Sequence, residues 1–165
     1  ASFGVTARIA HALEEFPRLK RHAGALAFGI ATMRAGLGYA PDRVALRVDE
    51  QEPVDGPVAA TAIANGAWFG GGMHVAPTAR LDDGRFEVVR FGDLARSDFV
   101  VSLPLLYKGT HYAHPKVTVT QGATVMAAPS GGAGARAVEI EADGEIVGAL
   151  PARFRIRPAA LTLLV

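Results

Sequence analysis

The period of apolar and polar positions changes near residue 42. Before it the spacing is helical: Val5, Ile9, Leu13 and Phe16 recur every three or four residues, with Glu14 and Glu15 outside the stripe. Pro17 stops this helix or bends the chain after it. A second helix is predicted from about His22 to Leu37, its end punctuated by Gly36, Gly38 and Pro41. After it the period drops to two. Arg43 to Asp49 alternates as a half-buried strand does. Residues 50–57 read as a turn and 58–64 as an apolar strand. Residues 86–91 form another strand, 94–107 a helix interrupted by Pro104, and 116–120 with 123–128 a hairpin about Gln121-Gly122. A loop at 129–135 precedes four strands, at 136–141, 145–150, 153–157 and 161–165. Helices early and strands late argue against alternating βαβ units. They favour an α+β domain, mainly β, built on packed antiparallel sheets.

The least generic run is 65–86, NGAWFGGGMHVAPTARLDDGRF. Gly70, Gly71 and Gly72 follow Trp68-Phe69, and three residues without Cβ allow positive φ or a close backbone approach. Met73 and Val75 read as a short strand ended by Pro77. Asp83-Gly84 is a hairpin signal with 86–91 as the returning strand. Two further Asp-Gly pairs occur, at Asp55 and Asp143, and a turn accounts for each. Asp143-Gly144-Glu145 differs in placing two carboxylates around a glycine at the tip of a strong hairpin. One such carboxylate can accept a hydroxyl proton while the other holds Mg²⁺, the division of work that phosphoryl transfer needs. The alternative is a turn kept soluble by its charges.

Composition narrows the field. The 165 residues contain apolar material for a core and show no internal repeat or linker, so one domain is expected. A net charge of +1 with scattered Lys and Arg gives no footprint for nucleic acid. No cysteine is present, which excludes disulfides and cysteine-ligated zinc and fits a reducing, cytoplasmic compartment. The longest apolar run, Ala23 to Met33, falls short of the roughly 20 residues of a membrane span. Flanked by Arg18, Lys20, Arg21 and Arg34, it suits a core helix or a peripheral membrane contact. The triple glycine lacks the Gly-Lys-Ser/Thr of a phosphate loop and the spacing of a dinucleotide fingerprint. His111 and His114 have the spacing of a metal-sharing pair on a helix, but Gly109 and Pro115 argue against a helix and no third ligand is evident. His11, His22 and His74 read as ordinary ring donors. Ser2 has no visible histidine–acid partners for a nucleophile role.

Taken in order, these pieces resemble the C-terminal domain of the diacylglycerol kinase catalytic family, which includes bacterial lipid kinases and sphingosine and ceramide kinases. The resemblance runs from Ala1-Ser2-Phe3-Gly4 through Asn65-Gly66, Phe69-Gly70-Gly71-Gly72-Met73, Ala76-Pro77, Ala79 and Asp82-Asp83-Gly84. It continues in Gly109-Thr110-His111, Pro115, Asp143-Gly144-Glu145, Pro151 and Pro158-Ala159-Ala160-Leu161. It implies a β-sandwich, so that with the helices read above the expected fold is an antiparallel β-sandwich with one or two N-terminal helices and a helix near 94–107. It also implies a separate N-terminal nucleotide-binding domain carrying Gly-Gly-Asp-Gly-Thr, a motif this chain lacks.

By the same resemblance, Asp143 is the general base toward a lipid hydroxyl and Glu145 helps hold Mg²⁺–ATP. Gly70, Gly71 and Gly72 line the cofactor side. Asp83, with the carbonyls of Arg80 and Arg85, matches a structural metal position, although a basic side chain at Arg80 weakens that match. The expectation is the second half of an ATP-dependent kinase for a diacylglycerol-like lipid, folded but inactive alone. The competing readings are a non-catalytic β-sandwich that binds a lipid or partner, and a kinase for a soluble substrate such as NAD. Open sheet edges permit a strand-to-strand homodimer without demanding one. The acidic tip at 143–145 and the glycine-lined segment are expected to face one opening.

Overall fold

The computed structural model describes residues 1–14, 24–38, 40–132, 134 and 136–161. Within them lie ten strands: β1 (Ser2–Gly4), β2 (Asp42–Val48), β3 (Val54–Val58), β4 (Ala60–Ala64), β5 (Phe86–Phe91), β6 (Val117–Gly122), β7 (Thr124–Pro129), β8 (Glu139–Ala142), β9 (Glu145–Ala149) and β10 (Ala152–Arg155). The helices are α1 (Val5–Glu14), α2 (Gly24–Leu37) and α3 (Arg96–Lys108), with a 3-10 turn at His111–Ala113. All pairings between strands are antiparallel, in a six-stranded sheet ordered β6-β5-β4-β1-β8-β9 and a four-stranded sheet ordered β10-β7-β2-β3. The α+β, mainly β sandwich expected from the sequence is what the chain adopts.

The six-stranded sheet is the middle of three layers, and side-chain alternation shows it. In β5, Val89 and Phe91 enter the core under the helices, while Val88 enters the core between the sheets. In β4, Ala60 and Ala62 face the helices and Ile63 faces the second sheet. A strand covered on both sides reads as a continuous apolar run rather than an alternating one. The helical layer buries Val5, Ile9 and Ala12 of α1 and Ala31 and Ala35 of α2 against that sheet, while Ile30 and Met33 stay exposed on α2. α3 carries Pro104 inside it and ends on Gly109 in the left-handed region, φ 68°. At its start the Asp98 carboxylate accepts the Ala95 N–H at 2.8 Å.

Several boundaries differ from the sequence expectation. β3 takes in residues 54–57, which the sequence pattern assigns to a turn, and Asp55-Gly56 lies inside that strand, opposite Ala45 and Val44. β3 and β4 belong to different sheets, so the chain changes layer at Ala59. The same happens at the predicted hairpin about Gln121-Gly122: β6 pairs with β5 and β7 with β2, in opposite sheets. The reason is local. The Asp49 carboxylate accepts the Ala123 N–H at 3.0 Å and the Thr124 N–H at 2.8 Å, which pulls the chain across.

Gly122 must pass close beneath Val48 and Asp49, and a Cβ there would sit 2.4 Å from Val48 Cγ1 and 2.6 Å from Asp49 Oδ2. Gly122→Ala is therefore expected to destabilise the fold by about 1–3 kcal/mol, the usual cost of overpacking, read as a lower urea midpoint at unchanged slope.

Met73 to Val75 forms no strand paired with β5. Met73 instead makes an isolated bridge to Phe69, and β5 lies between β4 and β6. The last strands are shorter than expected, at Glu139–Ala142 and Ala152–Arg155. Leu161 is not in a strand, and 162–165 lie outside the described residues, as do His22, Glu15 and Phe16.

Candidate functional site

The registers bring several turns to one end of the six-stranded sheet. Ser2 lies opposite Ala62 and Glu141, Ala64 opposite Glu87, and Phe86 opposite Gly122. The end where β1 starts is therefore where β4 leaves, β5 returns, and β8 turns into β9. The β4–β5 loop carries the glycines and Asp83, and the β8–β9 turn carries Asp143 and Glu145.

In that turn Asp143 and Gly144 both have positive φ, 52° and 93°, as a two-residue turn matched to strand twist requires. Asp143, Gly144 and Glu145 are exposed. Beneath them Glu141 is only 8% exposed. One of its oxygens accepts the Gly144 N–H at 2.6 Å and the other accepts the Ser2 hydroxyl at 2.5 Å. Ser2 is thus a strut and not a nucleophile. The Ala1 nitrogen, 3.0 Å from the Ile63 carbonyl, lies in the same corner.

Gly70, Gly71 and Gly72 form the tip of a tight loop closed by Phe69 and Met73. Each of these donates its N–H to the other's carbonyl, at 3.1 and 3.0 Å. All three glycines have positive φ, 61°, 72° and 92°, and only residues without Cβ adopt three such conformations in succession at low cost. Phe69 and Met73 pack into the helix-side core. Trp68 stacks on His74 with ring centroids 4.0 Å apart, and the His74 N–H reaches the Leu106 carbonyl of α3 at 3.0 Å. The loop thus starts at the sheet end shared with Asp143 and folds back toward α3.

Asp83 lies at the foot of β5. Its carboxylate accepts the Arg85 N–H at 2.9 Å, so Asp83-Gly84 is a local turn stabilised by its own side chain rather than a hairpin. Arg80 pairs with Asp82 at 3.3 Å, both exposed. The turn meets the C-terminal segment, since a Cβ on Gly84 would lie 3.2 Å from Pro158 Cγ. β5 stands three strands from β8, about 14 Å at the usual inter-strand spacing, so Asp83 and Asp143 do not share one ligand set. Among the described residues no group of three or more His, Cys, Asp or Glu could hold a metal ion. Asp83 offers a single carboxylate there, one oxygen of which is taken by the Arg85 N–H.

His111 and His114 are not a ligand pair. His111 is buried on the 3-10 turn, with Nε2 at 3.0 Å from the Val75 carbonyl. It lies against Phe91 and meets Tyr112 edge-on. Burial pushes its pKa down, with the Val75 and Leu105 carbonyls opposing. The neutral ring donating Nε2–H to Val75 is the form this geometry assigns. His114 Nδ1 accepts the Lys116 N–H at 3.2 Å, and His11 faces Glu139 at 3.1 Å.

Two residues that the sequence pattern did not single out are the buried carboxylates Glu141 and Glu87. Glu87 accepts from the Thr78 hydroxyl, the Thr78 N–H (3.2 Å), Tyr112 and Gln121 (3.3 Å). The available signal was a charged residue at an inward strand position, which in β4–β5 and β8 is hidden by the double-sided cover.

A helix-covered antiparallel sandwich with its acidic turn and glycine loop rooted at one sheet end defines the class: an α+β, β-sandwich domain. Over residues 1–165 the chain matches the family described as the YegS C-terminal NAD kinase beta sandwich-like domain, and it belongs to that family. It is 27% identical over 119 residues to proteins named diacylglycerol kinase from two strains of Mycobacterium tuberculosis, covering 72% of this chain and 37% of each of them. Among solved structures it resembles a candidate diacylglycerol kinase from Bacillus anthracis str. Sterne with a TM-score of 0.62 at 14% identity, covering 80% of this chain and 41% of that one. A further diacylglycerol kinase structure from that strain aligns with a TM-score of 0.52 at 12% identity, over 81% and 48%. At those identities the likeness speaks for the fold. The chain spans less than half the length of these relatives. Among the described residues no helix is long and apolar enough to cross a membrane.

Proposed function

We propose that the chain is the C-terminal domain of an ATP-dependent lipid kinase whose nucleotide-binding domain precedes it. The observation that carries this reading is the Asp143–Glu145 turn: two exposed carboxylates on a tip fixed from below, at the sheet end where the glycine loop begins. In the complete protein the Asp143 carboxylate takes the proton of a lipid hydroxyl as its oxygen attacks the γ-phosphorus. The bond from that phosphorus to the bridging oxygen of ADP breaks, giving lipid phosphate and ADP. Mg²⁺, when bound with ATP, neutralises phosphate charge, and the exposed oxygen donors of Glu145 suit it. Asp83 with the carbonyls of Arg80 and Arg85 would hold a separate structural cation, an all-oxygen donor set of the kind Mg²⁺ or Ca²⁺ takes.

An apolar cavity of about 70 Å³ lies toward the end of the sheet where Gly4, Ala60 and Phe91 pair, opposite the end that carries Asp143. It lies between the helices and the six-stranded sheet, lined by Val5, Ile9, Phe69, Met73, Phe91 and Leu106 among others. Phe69 and Met73 also anchor the glycine loop, so the cavity wall and the loop are one piece of chain. The volume is about half the ~150 Å³ of an apolar cavity that accepts benzene, so a full acyl chain requires the helices to move apart.

The test is a phosphorylation assay on the complete protein with labelled ATP, diacylglycerol-containing vesicles and NAD as competing acceptors. Label in the lipid fraction, and none from the isolated chain, is expected. Label in NAD alone, or an active isolated chain, overturns this reading.

A further inference from the structure

We infer that Glu141 is a positioning residue for Asp143. This rests on the phosphotransfer reading above. Glu141 shares its strand with the acidic turn but faces inward, under α1, and a buried carboxylate is costly unless every oxygen is bonded. Both oxygens are bonded, and each bond goes to a different part of the site. The 2.6 Å bond from Gly144 N–H fixes the turn from inside. The 2.5 Å bond from the Ser2 hydroxyl ties the same carboxylate to β1, the strand beside it.

An Asp-Gly turn closed by paired strands does not need this device. Ala142 already lies opposite Glu145, and the left-handed conformations of Asp143 and Gly144 suit their residue types. What the clamp adds is a fixed relation between the tip and the sheet. A register irregularity between Ile140 and Glu141 sits at the same point, Ile140 facing Gly148 while Glu141 faces Ile146. Such bulges re-aim the side chains beyond them. The Asp143 carboxylate is therefore oriented from β1 through Ser2 and Glu141. A catalytic group must be held to about 0.5 Å, and a misplacement of ~1 Å costs roughly 10²-fold in rate.

The experiment uses the complete kinase with vesicle-borne diacylglycerol and measures kcat, both KM values and thermal midpoint for Glu141→Ala, Glu141→Gln, Ser2→Ala and Asp143→Asn. Glu141→Ala should lower kcat by about 30- to 100-fold with both KM values within about twofold. Glu141→Gln should recover most of that, because its amide oxygen accepts from Gly144 and its NH₂ donates to Ser2 Oγ. Ser2→Ala, which breaks one bond and keeps the fold accessible if Glu141→Ala does not express, should lower kcat several-fold. A purely structural role would lower the thermal midpoint and leave kcat of the folded enzyme unchanged, and that result overturns the inference. So does a Gln variant as slow as the Ala variant. If Asp143→Asn is inactive while Glu141→Ala and Ser2→Ala turn over normally, the positioning role alone falls. If Asp143→Asn keeps normal turnover, the general-base reading falls and takes this inference with it.

Discussion

Asp143→Asn in the complete protein should lower kcat for lipid phosphorylation by about 10²- to 10⁴-fold, the range assigned to general-base catalysis. Both KM values and the thermal midpoint should stay close to those of the parent. The substitution is chosen for its backbone. Asp143 sits at φ 52°, a conformation that Asn accepts as readily as Asp and that most other residues resist. The amide is isosteric with the carboxylate and keeps the turn, but it cannot take up the hydroxyl proton. Asp143→Ala would combine the chemical loss with backbone strain and leave the two unresolved. The neighbouring Glu145→Gln should act differently, raising the Mg²⁺–ATP requirement more than it lowers the saturated rate. Near-parental turnover in Asp143→Asn would remove the general base from the proposal, while the family membership, which rests on the whole-chain match, would stand.

How much of this was legible in the sequence depended on how many layers each residue answers to. The two early helices, the β2 alternation and the Asp143-Gly144 hairpin were readable because their signals are local: a 3.6-residue stripe, a period of two, and a pair of residues that tolerate positive φ. The layer changes were not. Nothing local to Gln121-Gly122 distinguishes a hairpin from a crossing, since the deciding group is Asp49, more than seventy residues away, which binds the Ala123 and Thr124 N–H groups. The same limit hid β3, whose Asp55-Gly56 looks like a turn until Gly56 is seen paired with Val44.

At the candidate site the exposed acids were visible as a motif, and their supports were not. Glu141 in Glu139-Ile140-Glu141-Ala142 reads as an outward charge on a one-sided strand. It becomes a buried one only when α1 covers the outer face of β8. His111 was visible as half of a spaced pair, and its actual role follows from a carbonyl, Val75, that no side-chain pattern reports.

Glu87→Ala should be the most destabilising single change among the polar residues, by about 3–5 kcal/mol. Glu87 is 1% exposed on β5, and its carboxylate joins four pieces of chain: Thr78 of the glycine-bearing loop, β5 itself, Gln121 of β6 and Tyr112 of the 3-10 turn. Truncation leaves their donors facing a void, at ~1–3 kcal/mol for each buried unsatisfied group and less than additively for neighbours. For a domain of this size that corresponds to a thermal midpoint lower by roughly 10 °C. Tyr112→Phe removes one donor and keeps the acceptor satisfied by the others, so about 1–2 kcal/mol is expected.

The ionisation of the pair adds a pH signature. Burial alone would raise the Glu87 pKa, but the hydrogen bonds from Thr78, Tyr112 and Gln121 together outweigh it and hold the carboxylate below its ordinary value. Tyr112 is pushed above its own ordinary value by burial and by donating to that carboxylate. The stabilisation from ionised Glu87 is therefore fully present above the unfolded-state carboxylate value, near pH 4–5. It is lost as pH falls through the lower folded-state value. Urea midpoints measured between about pH 7 and pH 3 should fall more steeply for the parent than for Glu87→Gln, which has no charge to lose. Parallel profiles, or a Glu87→Ala midpoint within ~1 kcal/mol of the parent, would mean that the loop, the turn and the two strands are held together by apolar contacts, with the carboxylate a passenger.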